Sequence, residues 1–264
     1  MRPFLFTIGD IRVPSFFFMV MIGALAATFF SSWWAKREGS DQVALLDMGI
    51  IAIIASVIGA RVFHIVVESP MYYLEKPIRV FYFWQGGYVS IGAYMFTIAA
   101  WLVYFWKRNL STWRYMDLAA MGVPIIIFFV RVGCVCVGCC YGKPTDFFFH
   151  LTFNNPASVP AAFGYAGVHL HASQIYFMIN AIVMWGVFFF LYHRRKFYGE
   201  IISAFFIYYG ISRFIIEFTR GDADRGMWFD GAVSTGQIAM LISFIGGVIL
   251  WKILSKRQNL RIRG

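Results

Sequence analysis

The chain has 264 residues, 60% of them apolar, 20% aromatic and only 14% charged, with a formal net charge of +10. Soluble domains carry about 25% charged residues, so this composition excludes an ordinary water-soluble domain. The basic residues are scattered between apolar stretches and form no aromatic-interleaved patch, which points to membrane anchoring and away from a nucleic-acid partner.

In chain order, nearly uncharged stretches run over 13–34, 43–67, 88–106, 118–137, 175–192, 201–218 and 233–251. Each comes close to the roughly 20 residues a helix needs to cross a bilayer. The expected fold is all-α: a polytopic membrane protein of seven transmembrane helices, read as one domain over 1–264. The first stretch has no small-residue cleavage pattern behind it and predicts a retained helix, not a signal peptide. Between the second and third stretches, 71–84 mixes aromatics with Glu75, Lys76 and Arg79 around Pro77 and predicts an interfacial segment lying along the headgroups.

Alternate loops differ in basic residues. One set holds 13 Lys and Arg, the other 7, and Arg61, Arg131 and Arg213 lie inside stretches. The positive-inside rule therefore places the C-terminus and the loops after the first, third and fifth helices in the cytoplasm, and the N-terminus outside. The outward loops, 68–87, 138–174 and 219–232, are the long ones, and long loops on a rigid scaffold are where sites are built.

Charge inside a span is costly, so each intramembrane Arg marks a candidate site. Arg61, Arg131 and Arg213 lie five or six residues before the outer ends of the second, fourth and sixth stretches, about 7 to 9 Å below one boundary. Arg61, His64 and Glu68 share one helical face, as do Arg213, Glu217 and Arg220. Guanidinium groups at one depth suit a lipid phosphate, which Arg grips bidentately. Snorkelling to the interface is the alternative. His169 and His171 read as loop residues without a metal-ligand pattern, and Asp222, Asp224 and Asp230 as a solvated outer loop.

All four cysteines, Cys134, Cys136, Cys139 and Cys140, fall in one seven-residue window. The spacing C-x-C-x-x-C-C matches no zinc or iron–sulfur pattern, so no metal and no cofactor is expected. A helix would place Cys136 and Cys140 on one face. Small packing residues beside Gly133, Gly138 and Gly142 are the favoured reading, with a thiolate metal site or a redox pair as the alternatives.

Several stretches together resemble the bacterial prolipoprotein diacylglyceryl transferase family. They are Gly59-Ala60-Arg61, Trp84-Gln85-Gly86-Gly87, Arg131 through Gly142, His171 through Tyr176, Tyr209 through Arg220 and Ser234-Thr235-Gly236-Gln237. The resemblance implies an enzyme at the outer face of the bacterial inner membrane. Such an enzyme moves a diacylglyceryl group from phosphatidylglycerol to the lipobox cysteine thiol of a preprolipoprotein and releases glycerol phosphate. It also implies that Arg131 and Arg213 are the essential arginines, Glu217 the acid one turn beyond, Arg220 a further arginine and Gly142 the glycine closing its motif.

Four positions depart from the family pattern. Phe16 stands for its usual tyrosine, Ile91 for a histidine, Cys134 for an asparagine and Cys139 for an acid, which leaves His64 as a possible base. A catalytically silent or acceptor-switched lipid-binding paralogue of the same fold is the rival reading.

Overall fold

The computed structural model describes residues 4–8, 11–82, 87–156, 158–222, 226–228 and 233–258. The protein is mostly helical, with long helices at each of the expected stretches. Five are long and apolar enough to cross a bilayer: α1 (Ser15–Arg37), α2 (Gln42–Phe63) with the π-turn that extends it to Glu68, α5 (Thr112–Val137), α7 (Ser173–Arg194) and α9 (Thr235–Gln258). Between them lie α4 (Ser90–Lys107), whose apolar part is shorter, and α8 (Glu200–Glu217), which carries three charged residues. The protein is a multi-pass membrane protein. Short elements that hydropathy does not reveal join the helices. The first is a hairpin of β1 (Phe4–Ile8) and β2 (Ile11–Pro14) ahead of α1.

The chain forms two compact units. One is Ser32–Tyr115; the other combines Met1–Ser31 with Met116–Gly264.

In the smaller unit α2 packs on α4 through a reciprocal glycine pair. A Cβ on Gly59 would stand 2.4 Å from the Gly92 carbonyl oxygen, and one on Gly92 would stand 2.3 Å from that of Gly59. Only glycine lets the two backbones approach so closely. Past the π-turn, Pro70 and Pro77 open α3 (Pro70–Glu75) and a 3-10 turn (Pro77–Phe81) at positions where the missing N–H costs nothing. This connection leaves Met71, Leu74, Ile78 and Phe81 exposed while Tyr73 is buried. Trp84, Gln85 and Gly86 of the family-like stretch lie outside the described residues.

In the larger unit α8 and α9 meet at Gly210 and Gly247, where a Cβ would press on Met240, Phe244, Phe206 and Ile207. Near the start of α5 the fully buried Asp117 carboxylate accepts the Gly199 N–H at 2.7 Å and the Ile202 N–H at 3.0 Å. It thereby satisfies donors that the first turn of α8 cannot pair internally. The stretch 138–174, expected as an outward loop, folds into a small lobe. Strands β3 (His150–Thr152) and β4 (His169–His171) pair antiparallel beside the one-turn helix α6 (Val159–Ala162), over a core of Tyr141, Phe153 and Leu170. His169 and His171 are therefore strand residues and not loop residues. A last pair, β5 (Met227–Trp228) and β6 (Val233–Ser234), leads into α9.

Candidate active site

The site in the larger unit begins where α5 ends. Val137 is the last helical residue; Gly138 takes φ of +82° and its N–H closes on the Cys134 carbonyl at 2.7 Å, a glycine stop of the left-handed kind. Cys140 also has positive φ, +56°, a conformation that only a few per cent of non-glycine residues adopt. The reversal brings the Cys140 sulfur 4.0 Å from that of Cys134, and the Sγ atoms of Cys134, Cys139 and Cys140 all lie within 4.8 Å of one another. The expected pairing of Cys136 with Cys140 on one helical face is therefore wrong, because the helix stops before Cys140. Thiol hydrogen bonds from Cys134 and Cys139, opposed by burial and helped by the Arg131 and Arg220 charges, hold the Cys140 thiol below its ordinary pKa.

Arg131 and Arg213 converge on one aromatic ring. Phe177, fully buried on α7, has the Arg131 guanidinium carbon 4.1 Å and the Arg213 guanidinium carbon 5.1 Å from its centroid. Arg131 Nη1 reaches the Cys134 sulfur at 4.0 Å, while Arg131 Nε and Arg213 Nη1 are buried N–H groups with no hydrogen-bond partner. Buried donors of this kind are rare and call for an explanation.

Glu217, 2% exposed, binds the charge together. Its Oε2 lies 3.4 Å from Arg213 Nη2 and 3.2 Å from Arg220 Nη1, and its Oε1 accepts the Ser234 hydroxyl at 3.3 Å. Gly236 leaves the room: a Cβ there would sit 3.2 Å from Glu217 Oε1. Arg220 in turn bonds both carboxylate oxygens of Asp222. Burial opposes the Arg220 charge, but the Asp222 hydrogen bond outweighs it and raises the guanidinium pKa. Asp222 is thus an ion-pair partner and not part of a solvated loop, while Asp224 and Asp230 lie outside the described residues.

Gly142 contributes backbone. It bridges to Arg220, the flanking Lys143 N–H bonds the Thr219 carbonyl and the Gly221 N–H bonds the Tyr141 carbonyl. A Cβ at Gly142 would lie 2.2 Å from the His171 carbonyl oxygen, so this glycine ties three segments behind the arginines.

Arg61 and His64 belong to the smaller unit. Among the described residues the Arg61 guanidinium donates to the carbonyls of Arg79 (2.9 Å), Tyr82 (3.2 Å), Val80 (3.4 Å) and Gly87 (3.4 Å). His64 opens the π-turn and pairs with Glu68, its ring set edge-on against Tyr73. Among the positions that depart from the family pattern, Cys134 is buried against Arg131, the Phe16 backbone packs on Gly133 of α5, and Ile91 is exposed. Sequence reasoning missed Phe177, whose aromatic run α7 shares with packing residues, and Ser234, which it quoted only as part of a motif.

Taken together, the molecule is a multi-pass membrane protein with a buried, arginine-rich site at one end of α5 and α8. The chain belongs to the prolipoprotein diacylglyceryl transferase family, a family of enzymes, whose model matches residues 3–253. Similar proteins include the phosphatidylglycerol–prolipoprotein diacylglyceryl transferase of Clostridium tetani, 29% identical over 96% of this chain and 98% of that protein. The protein of the same name from Pseudomonas syringae pv. syringae is 31% identical over 97% of this chain and 94% of its own length. Transferase 2 of Clostridium perfringens is 28% identical over 96% and 95%.

Proposed function

We propose that this protein transfers the diacylglyceryl group of phosphatidylglycerol to the lipobox cysteine thiol of a preprolipoprotein, at the outer face of the bacterial inner membrane. The observation that carries the reading is the pair of buried, unpartnered N–H groups on Arg131 and Arg213 over one ring. Two guanidinium groups with donors to spare suit a phosphodiester, whose anionic oxygens accept charge-assisted hydrogen bonds. Names of similar proteins supply both substrates.

In this mechanism the acceptor sulfur attacks the glycerol carbon that bears the phosphate, a C–S bond forms, the C–O bond breaks and the electron pair leaves on glycerol phosphate. Charge grows on that leaving oxygen, and Arg131 and Arg213 stabilise it. Glu217 holds Arg213 and Arg220 in place. Arg220 lies behind them, Gly142 lets the loops close, and Arg61 serves its own unit by holding the carbonyls of Arg79, Val80, Tyr82 and Gly87.

The reading includes seven crossings, with α4 and α8 as the third and sixth, residues 1–264 acting as one transmembrane domain, and the segment after the π-turn lying along the headgroups. It also sets the N-terminus outside and the C-terminus in the cytoplasm. A C-terminal fluorescent fusion should glow in the cytoplasm, and Gly164→Cys should gain labelling from outside; labelling only after permeabilisation would reverse the orientation.

The activity test is purified protein with phosphatidylglycerol and a lipobox peptide, followed by release of glycerol phosphate. Release with a lipidated peptide is expected. Lipid binding without release would make the protein a silent paralogue.

A further inference from the structure

The proposed reaction lacks one component. A thiol must become a thiolate before it can displace a phosphate ester, and the buried carboxylate of the arginine site, Glu217, is already engaged by Arg213, Arg220 and Ser234. The sulfur cluster beside it offers a different means of activation.

We propose that Cys134, Cys139 and Cys140 form a three-thiolate site for a zinc-type divalent ion whose fourth position takes the acceptor thiol. Zinc bound by thiolates is tetrahedral with Zn–S of about 2.3 Å, so adjacent ligand sulfurs stand about 3.8 Å apart. The Cys134 and Cys140 sulfurs are 4.0 Å apart, and all three fall within 4.8 Å, so the side chains reach that face of a tetrahedron with small rotations. Thiolate donors also select soft ions such as zinc.

Three further features fit. The backbone at Cys140 adopts the left-handed conformation at a residue other than glycine, a strain that persists only where the surroundings enforce it. The loop is pinned from outside the cluster: Gln174, fully buried, donates its amide to the Cys139 carbonyl at 2.9 Å. This bond fixes the backbone that carries the Cys139 sulfur. Four thiolates around a divalent ion leave two negative charges, and Arg131 touches Cys134 while Arg220 lies within electrostatic reach of Cys140.

A three-ligand site with an open position is the catalytic and not the structural arrangement of zinc. An acceptor thiol entering that position loses its proton to solvent, because a coordinated thiol is deprotonated outright. The bound sulfur then forms the C–S bond as the phosphate leaves with the C–O electron pair, and no oxidant or reductant is consumed. Arg131 faces both partners, with Nη1 toward the sulfur cluster and Nε free for the phosphate. The helical spacing of the cysteines conceals this arrangement, since it forms only after the chain turns back at Gly138. The role of the open position rests on the transferase reading; the metal site itself does not.

The test is metal content and Co2+ spectroscopy of the full-length protein purified in detergent without chelator. One Zn2+ per chain is expected, with Co2+ giving thiolate charge-transfer bands and the visible bands of a tetrahedral site. Cys134→Ser, Cys139→Ser and Cys140→Ser should each lower metal affinity at least tenfold, while Cys136→Ser keeps it. Phosphatidylglycerol-dependent thermal stability checks that the variants are folded. Adding a peptide with one cysteine should shift the visible Co2+ bands; its serine counterpart should not.

Absence of stoichiometric metal, or equal affinity in all four variants, overturns the site. A cobalt spectrum indifferent to the cysteine peptide overturns the acceptor role, as does full lipid transfer by metal-free protein, which leaves the transferase reading intact. Metal-loaded protein that responds to the peptide but releases no glycerol phosphate leaves the site standing and overturns the transferase reading.

Discussion

Arg61 and Arg131 are the same residue type, both buried, on helices of two different units, and they differ in what their N–H groups touch. Arg61 spends its guanidinium on backbone carbonyls that follow α2, those of Arg79, Val80, Tyr82 and Gly87 among the described residues, and stacks near Tyr73 and Tyr88. Arg131 leans on the Phe177 ring and the Cys134 sulfur and keeps a buried Nε without a partner. A buried arginine is therefore not a binding residue because of its depth. An arginine satisfied by its own protein organises structure, and one left unsatisfied has donors for a ligand.

The contrast is testable at several points. The largest effect is expected at Glu217, where Glu217→Ala leaves Arg213 without its acid in a buried setting. Removing one partner of a buried pair costs about 3 to 5 kcal/mol, so unfolding of the variant in detergent should move to markedly lower denaturant. A shift near zero would mean that the pair is solvated. Next, Arg131→Gln or Arg213→Gln should lower glycerol phosphate release at least tenfold, about 1.4 kcal/mol, and Lys should rescue poorly because it lacks the planar fork. Unchanged turnover in both, with folding intact, would return these arginines to snorkelling.

Phe177→Leu removes the ring beneath both guanidinium groups. A cation–π contact amounts to about 2 kcal/mol when desolvated; leucine keeps the apolar cover and offsets part of that loss, so a several-fold rise in the phosphatidylglycerol concentration for half-maximal rate is expected. Arg61→Gln should give the smallest change in turnover, less than about threefold or ~0.7 kcal/mol, yet raise amide exchange in residues 79–82. A turnover loss equal to that of Arg131→Gln would erase the distinction.

Much of this was legible in sequence because membrane helices announce themselves by composition. The stretch 175–192 and α7, or 201–218 and α8, agree to within two residues at each end. The Arg213, Glu217, Arg220 spacing was also legible, since one helical turn puts those side chains together. What sequence could not show depends on where a helix stops. Cys136 and Cys140 share a face only if α5 continues, and the left-handed Gly138 ends it first. Asp222 looks like any loop aspartate until Arg220 is placed beside it. The lobe over 138–174 is held by Tyr141, Phe153 and Leu170, contacts too far apart in the chain for periodicity to reveal.

The carboxylate of Asp117 gives α5 and α8 a common origin. Fourteen residues separate Asp117 from Arg131, and fourteen separate Gly199, whose N–H it accepts, from Arg213. At 1.5 Å per residue both guanidinium-bearing positions are counted off about 21 Å from the same fastening. Their matched height over Phe177 is thus indexed from the far end of the helices and not adjusted locally. Inserting one residue between fastening and arginine in either helix would slide that arginine by about 1.5 Å and swing it by roughly 100° around the axis. The stagger of two cationic groups is in this sense written into helix length, and a bond remote from the lipid keeps the count.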